Sequence, residues 1–298
     1  WYRQVPPIKK AARTLSIVAH SWDDLFSQVA EACQCIESKS PRIMGARGGV
    51  CYLAEPERTK GEVAFVFPGS GSHYVGMGRS LGAHFPEVLR GMDRKTERLR
   101  SQMLPHLFDP WRIDWPTSWP TDSYRELVAD PLHTIFGKVI FGGQMARLLG
   151  QFNLHPDAAI GYSLGESAAL FALDAWPDHG VMLDRLASSD LFKTQLSGTC
   201  EALRRAWRLS DDQAVQWRVA VVNRPADKVD AAVAATPHVR RLIVNTPNEC
   251  VIGGLQDPVA HVIKQLGCEA LFLDGVVTVH CDAAIPVRED LEGAKHAP

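Results

Sequence analysis

Apolar and polar residues follow one another along this chain in blocks whose period switches between two and about 3.6, and each switch marks an element boundary. Residues 13–36, RTLSIVAHSWDDLFSQVAEACQCI, open with a short β-like run. A Ser-Trp-Asp-Asp helix start comes next, and then Leu25, Val29, Ala32 and Ile36 at helical spacing. A further strand is expected at GGVCYLAE. These elements are too few to bury a core, so residues 1–60 are expected to form a linker subdomain that docks on the body of the chain. VAFVF at 63–67 is an unbroken apolar run suited to a buried parallel strand, stopped by Pro68 and the glycine-rich PGSGSHYVGMG. Helical patterning resumes after Gly78. Residues 105–124 carry four prolines and three tryptophans, a pattern expected of a loop or lid with its tryptophans packed on the body. Residues 131–152 are apolar at helical spacing and lead to a strand at 157–162.

From Trp217 to Asp274 the pattern reads βαββαβ. VAVVN, RRLIVNT, ECVIGGL and EALFLD are the strands, and PADKVDAAVAAT and DPVAHVIKQLG the helices. That is the ferredoxin-like order. The expected organisation is therefore a linker at 1–60, an α/β core built from 61–216 and 275–298, and a ferredoxin-like subdomain at 217–274 inserted between them.

Composition narrows the classes. A length of 298 residues fits about two domains. Thirty-two Lys and Arg against 34 Asp and Glu leave a net charge of −2, which gives no global reason to bind nucleic acid or an anionic membrane. No apolar run approaches the roughly 18 residues of a spanning helix. Seven cysteines form no CxxC pair and no metal-ligand spacing, so neither a disulfide framework nor a metal site is expected. A reducing compartment, the cytoplasm, fits this usage. The N-terminus has no apolar signal region and no initiator Met, which reads as a piece of something longer or a processed product.

The chemistry concentrates at AAIGYSLGESAALFAL, where Ser163 lies in Gly161-Tyr162-Ser163-Leu164-Gly165, a G-x-S-x-G pattern at a strand-to-helix transition. A side chain two residues to either side of such a serine would strike the neighbouring strand or helix, so glycine is required there. The turn exposes the hydroxyl and aims the Leu164 N–H at an oxyanion on an attacked carbonyl. The alternative is a tight structural turn. A serine nucleophile needs a base. Among 11 histidines, His280 is the best placed, because it ends a β-like Val-Val-Thr-Val run after the insert, where the chain returns to the main body. The alternative is a structural histidine. No third, orienting group is evident, and Asp282 is too close along the chain to be assigned. The loop Phe67 to His73 fits neither phosphate-binding pattern, because Tyr74 stands where G-x-G-x-x-G needs glycine and Arg79 where a P-loop needs lysine. Its glycines can instead bring the Ser70 N–H to a substrate oxygen as a second oxyanion donor.

Taken in order, VFPGSGSHYVGMG, GYSLGES, LIVNTPNECVIGG and VTVHC resemble the motifs of acyl-CoA:acyl-carrier-protein transacylases, the malonyl/acyl transferase domains of fatty acid and polyketide synthases. The resemblance covers about residues 13–285. GYSLGESAALFAL followed by LFKTQLSGTCEALRRAW is similar to the transferase domains of polyunsaturated fatty acid synthases. It implies an α/β-hydrolase-like large subdomain with an inserted ferredoxin-like small one, preceded by a linker. It also implies ping-pong transfer. Ser163 attacks the thioester of an acyl-CoA or malonyl-CoA with His280 as general base, Leu164 and Ser70 hold the oxyanion, and the phosphopantetheine thiol of an acyl carrier protein takes the acyl group. Gly69, His73, Tyr162 and Arg185 are the implied substrate-binding residues, with no bound cofactor. The implied partners are the carrier protein and neighbouring synthase domains, not nucleic acid or membrane.

Several positions depart from the family's pattern. Ser70 stands where Gln is common, and Tyr162 where His is usual. Ser188 occupies the place of the arginine that clamps a malonyl carboxylate, which leaves Arg185, one helical turn earlier, as the remaining candidate. The family also continues beyond the 18 residues that follow His280 here and supplies from there a carbonyl that orients the histidine. Two other functions use the same residues: a serine hydrolase or thioesterase with the same dyad, and a non-catalytic structural domain of a synthase. Arg204, Arg205 and Arg208 are candidates for a carrier-docking patch, against the plainer reading of a solvated helix face.

Overall fold

The computed structural model describes residues 14–40, 42–44, 49–53, 61–111, 113–210 and 212–290. The parts of the expected linker at 1–13, 41, 45–48 and 54–60, and of the expected core at 291–298, lie outside the described residues. The chain divides into two units, Trp1–Glu62 and Val63–Pro298.

In the first unit, β1 (Thr14–Ile17), α1 (Trp22–Glu37), β2 (Arg42–Met44) and β3 (Val50–Leu53) give an antiparallel sheet in the order β1-β3-β2. The helix starts where the sequence places it, with Ser21 Oγ accepting the Asp24 N–H at 3.1 Å. Its buried face differs from the expected one. Gln28 and Ala32 are buried, while Val29 and Ile36 are 39% and 38% exposed. A polar residue takes the inward place because the Gln28 amide donates to the Val18 carbonyl at 3.0 Å. Three-residue β2 is too short to show an alternation in sequence.

The second unit begins with β4 (Ala64–Phe67), followed by α2 (Arg79–His84), α3 (Pro86–Asp93), α4 (Leu99–Met103), α5 (Pro105–Phe108), α6 (Trp119–Ala129) and the long α7 (Pro131–Gln151). Then β5 (Ala158–Gly161) pairs parallel with β4, Phe67 opposite Gly161, and turns directly into α8 (Leu164–Ala172). Next come α9 (His179–Ser188), a π-type turn at Leu191–Gln195 and α10 (Glu201–Trp207). Aspartate caps start α7 and α9. Asp130 Oδ1 accepts the Leu132 N–H at 2.9 Å, and Asp178 Oδ1 accepts those of Gly180 and Val181 at 2.8 and 3.2 Å. Phe67, Ile135, Phe136, Phe171, Leu186 and Leu196 anchor the core beneath the sheet.

Two expectations are corrected here. The strand at 63–67 is not covered on both faces among the described residues: Phe67 enters the core, while Val66 and, on β5, Ile160 are 67% and 58% exposed. The segment 105–124 is also not simply a loop. Pro105 and Pro120 sit in the first turns of α5 and α6, where proline costs no hydrogen bond, so these prolines start helices. Nor do its tryptophans all pack on the body: Trp111 is 81% exposed, and Trp115 packs edge-on against Trp119 at 4.7 Å.

The insert is the ferredoxin-like unit that the sequence pattern describes. In chain order β6 (Trp217–Val222), α11 (Ala226–Ala234), β7 (Val239–Thr246), β8 (Glu249–Leu255), α12 (Gln256–Leu266) and β9 (Ala270–Leu273) form an antiparallel sheet ordered β7-β8-β6-β9. Both helices press on one face, where Val222, Val229, Val239, Ile252, Val259 and Val262 are fully buried. Trp207, Trp217, Leu255 and Ala283 join this subdomain to the larger one.

Candidate active site

The turn from β5 into α8 is built by its glycines. A Cβ on Gly161 would lie 2.3 Å from the Glu166 Cα and N, and one on Gly165 would lie 2.0 Å from the Phe67 carbonyl oxygen. Backbone therefore packs on backbone on both sides of Ser163, which itself takes φ 54 and ψ −118, a conformation L side chains rarely adopt. Strain of this kind projects the hydroxyl away from the sheet. Leu164 follows as the first residue of α8, where N–H groups have no partner within the helix.

His280 arrives from the segment after the insert, 117 residues later, and its Nε2 lies 2.7 Å from Ser163 Oγ. The backbone on either side is pinned. Upstream, the fully buried Thr278 donates both its N–H (3.0 Å) and its Oγ1 hydroxyl (2.9 Å) to the Leu196 carbonyl. Downstream, Asp282 accepts from Trp207 Nε1 at 3.2 Å and from Arg240 Nε and Nη2 at 3.1 and 2.9 Å. Between the anchors His280 takes φ 63. Asp282 thus faces Arg240 and Trp207, and it supports the segment that carries the histidine. Sequence reasoning missed this pinning. Its only trace was the polar Thr278 within an apolar β-like run.

A cleft of about 510 Å³ opens beside the dyad. Ser70, Tyr162, Ser163, Leu164 and His280 line it, so five of the eight sequence-predicted residues meet there. Gly69, His73 and Arg185 do not line it. Gly69 is pressed under Tyr162, whose ring carbon would stand 2.7 Å from an added Cβ, and its carbonyl accepts the Ser72 hydroxyl at 3.2 Å. His73 is turned inward, 7% exposed and stacked on Tyr124 at 5.7 Å, with no hydrogen-bond partner for Nε2 among the described residues. Burial, helped by nearby Lys138, holds its imidazole below the usual range. Lys138 donates to Ser72 Oγ and is itself pushed down by burial, so it props the glycine loop from below. Arg185 lies on α9, outside the cleft lining.

Tyr162 bridges the subdomains. Its hydroxyl donates to Asn245 Oδ1 on β7 at 2.9 Å, and Asn245 Nδ2 donates to Glu249 Oε1 at 2.9 Å. Desolvation pushes the phenol up. Of the docking candidates, Arg204 is tied to the carbonyls of Thr199, Ser210 and Gln213, and Arg205 to Gln195 Oε1. Arg204 thus fastens the end of α10 to the loop beyond it. No group of three or more His, Cys, Asp or Glu among the described residues is arranged to hold a metal, and none of the described helices is long and apolar enough to cross a membrane.

No protein-family model matches the sequence. Curated relatives include a conidial pigment polyketide synthase of Pestalotiopsis fici, 25% identical over 276 residues that cover 90% of this chain and 11% of that one. Another is a polyunsaturated fatty acid synthase polypeptide of a Thraustochytrium species, 26% identical over 265 residues, 85% of this chain and 12% of that one. The chain thus spans about an eighth or less of the length of these relatives. Among solved structures, the acyltransferase domain from the second module of the salinomycin polyketide synthase superposes with a TM-score of 0.57 at 18% identity, over 93% of this chain and 58% of that one. A malonyl-transacylase in complex with its type II polyketide acyl-carrier protein superposes with a TM-score of 0.53 at 20% identity, over 78% and 68%. In sequence the chain is similar to polyketide and polyunsaturated fatty acid synthases, and in fold it has the α/β architecture, with its small inserted sheet, of the acyltransferase domain from the salinomycin polyketide synthase.

Proposed function

We propose that this chain transfers an acyl group from coenzyme A to the phosphopantetheine thiol of an acyl carrier protein by way of an ester on Ser163. The observation that carries the reading is the 2.7 Å contact between Ser163 Oγ and His280 Nε2 at the floor of a cleft open to a thioester. With His280 neutral and its proton on Nδ1, Nε2 accepts the Ser163 hydroxyl proton as Oγ attacks the thioester carbonyl. The negative charge that builds on the carbonyl oxygen is met by the N–H groups of Leu164 and Ser70. Collapse of the tetrahedral adduct breaks the C–S bond, the imidazolium returns its proton to the departing sulfur, and free coenzyme A leaves. The second half runs the same steps in reverse, with the carrier thiol giving its proton to His280 and its sulfur attacking the ester. Thr278 and Asp282 position the imidazole without touching the reacting atoms. A carrier protein as acceptor and a place within a larger synthase are consistent with the synthase relatives and with the carrier-bound fold neighbour.

Intact-mass spectrometry after mixing the full chain with acyl-CoA tests this. An acyl adduct is expected on the wild type and none on Ser163→Ala, while His280→Ala should slow its appearance by about 10²–10⁴-fold. A carrier protein should then discharge the adduct. Discharge at the same rate in water alone identifies a hydrolase, and a folded chain that no thioester labels identifies a structural domain.

A further inference from the structure

We infer that the cleft selects an uncharged acyl chain of several carbons and discriminates against a thioester bearing a free carboxylate, an inference that rests on the transfer reading above. The lining decides it. Ile135, Leu164, Phe192, Val277 and Val279 supply apolar walls, and no Lys or Arg is among the described residues of the lining. Among the described residues of the lining the only carboxylate is that of Glu166, on the first turn of α8 three residues beyond Ser163.

Arg185, on α9, is not among the lining residues, and the cations on neighbouring elements are held by other partners. Arg240 and Arg241 immediately precede the lining residues Leu242 and Ile243 on β7, but Arg240 is held by Asp282, and Arg241 is held in a two-pronged pair by Asp230 at 2.5 and 3.0 Å. Lys138 donates to Ser72. Ser188 carries no charge, and its hydroxyl is engaged by the Asp184 and Arg185 carbonyls of its own helix at 2.7 and 3.2 Å. A carboxylate carried into the cleft would lose water, gain no counter-ion and approach Glu166. Removing an ion from water without a partner is penalised steeply enough to give at least about 100-fold discrimination.

Size points the same way. A cleft of about 510 Å³ is far larger than an acetyl group. Each methylene added until the apolar wall is covered should raise the acylation rate at low substrate by up to about fourfold. Phe192 is 7% exposed on the π-type turn and forms part of that wall, so its bulk helps to set where the gain stops.

The experiment is a time course of Ser163 acylation on the full chain, followed by intact mass with acetyl-, butyryl-, hexanoyl-, octanoyl- and malonyl-CoA, beside a Ser163→Ala control. Hexanoyl or octanoyl should label fastest, acetyl more slowly, and malonyl about 100-fold more slowly than hexanoyl. Phe192→Ala should move the optimum to longer chains, and Glu166→Gln should raise the malonyl-to-hexanoyl ratio severalfold. Malonyl labelling within tenfold of hexanoyl, or acetyl labelling faster than hexanoyl, overturns the selectivity while leaving transfer intact. Labelling by no thioester at all overturns the transfer reading and this inference together.

Discussion

Replacing Gly165 by alanine tests the turn on which the site is built. The new methyl would stand 2.0 Å from the Phe67 carbonyl oxygen and 2.7 Å from its carbon, and that same oxygen accepts the Tyr162 N–H at 3.0 Å. Neither atom belongs to a movable side chain. Reaching even the shortest tolerated separation requires β4 and the start of α8 to part by about 1 Å, the overpacking regime of roughly 1–3 kcal/mol. For a protein of this size that lowers Tm by about 2–12 °C. The same displacement moves Ser163 away from Ser70 and His280, and misplacement by about 1 Å costs on the order of 100-fold in rate. Gly143→Ala is the control. It lies in α7, where an added Cβ meets nothing within 4 Å, so the change should stabilise the helix by about 0.5–1 kcal/mol and leave acylation as it was. Thermal melts and Ser163 labelling of both variants decide the matter. If Gly165→Ala melts and labels like the wild type, or the two variants fall together, the strand-turn-helix geometry is not what holds the nucleophile.

The supports around the site give further expected outcomes. Thr278→Val keeps the shape and the backbone bond to Leu196 but loses the hydroxyl bond; stability should drop by about 1 kcal/mol, while the labelling rate falls about tenfold or more at unchanged substrate affinity. A loss confined to affinity would remove Thr278 as the support of His280. Lys138→Met should loosen the glycine loop, slowing acylation with little effect on Tm. Equal slowing by Lys138→Arg would show that charge alone is insufficient. Burial lowers the imidazoles of His73 and His179 in the folded protein, so below about pH 6.5 the unfolded chain binds the more protons. Their contribution is complete above about pH 6.5 and is lost as pH falls from there toward the lower folded values. Urea midpoints should therefore decline between pH 7.5 and 5.5, less so in His73→Gln, and a flat wild-type profile would count against burial of the neutral rings.

Local signals carried much of this architecture. Ser21 and the aspartates after it mark α1, apolar residues at helical spacing over 131–152 mark α7, and the switches of period from Trp217 to Asp274 mark all six elements of the insert. Gly161 and Gly165 announced a turn too tight for side chains. The misses share a physical cause, because each depends on what lies across space. Prolines 105 and 120 read as breakers until their places in the first turn of a helix are known, and His73 read as a loop residue facing substrate until its stacking on Tyr124 turns it inward. Arg185 could be ranked as a carboxylate ligand from spacing alone, since a place one helical turn from Ser188 says nothing about whether α9 lines the cleft, and none of its residues does. Asp282 lies too near His280 along the chain for sequence to assign it a role, yet its bonds to Trp207 and Arg240 tie together three segments that are distant in sequence.

The same insertion that separates Ser163 from His280 along the chain supplies one wall of the cleft between them. Leu242 and Ile243 of β7 line it, and two residues on, Asn245 receives the Tyr162 hydroxyl from the turn that holds Ser163. Under the proposed transfer, an acyl chain on Ser163 would lie between a wall from the large subdomain and a wall from the small one. Any motion that widens the gap between them exposes the ester to water and removes apolar contact from the chain in one step. Hydrolysis and loss of chain-length selectivity should for that reason rise together. Tyr162→Phe, which breaks the bond across the gap and leaves the dyad in place, should increase water-driven discharge of the acyl-enzyme and flatten its preference between acetyl and hexanoyl. If one changes without the other, the two properties have separate structural origins.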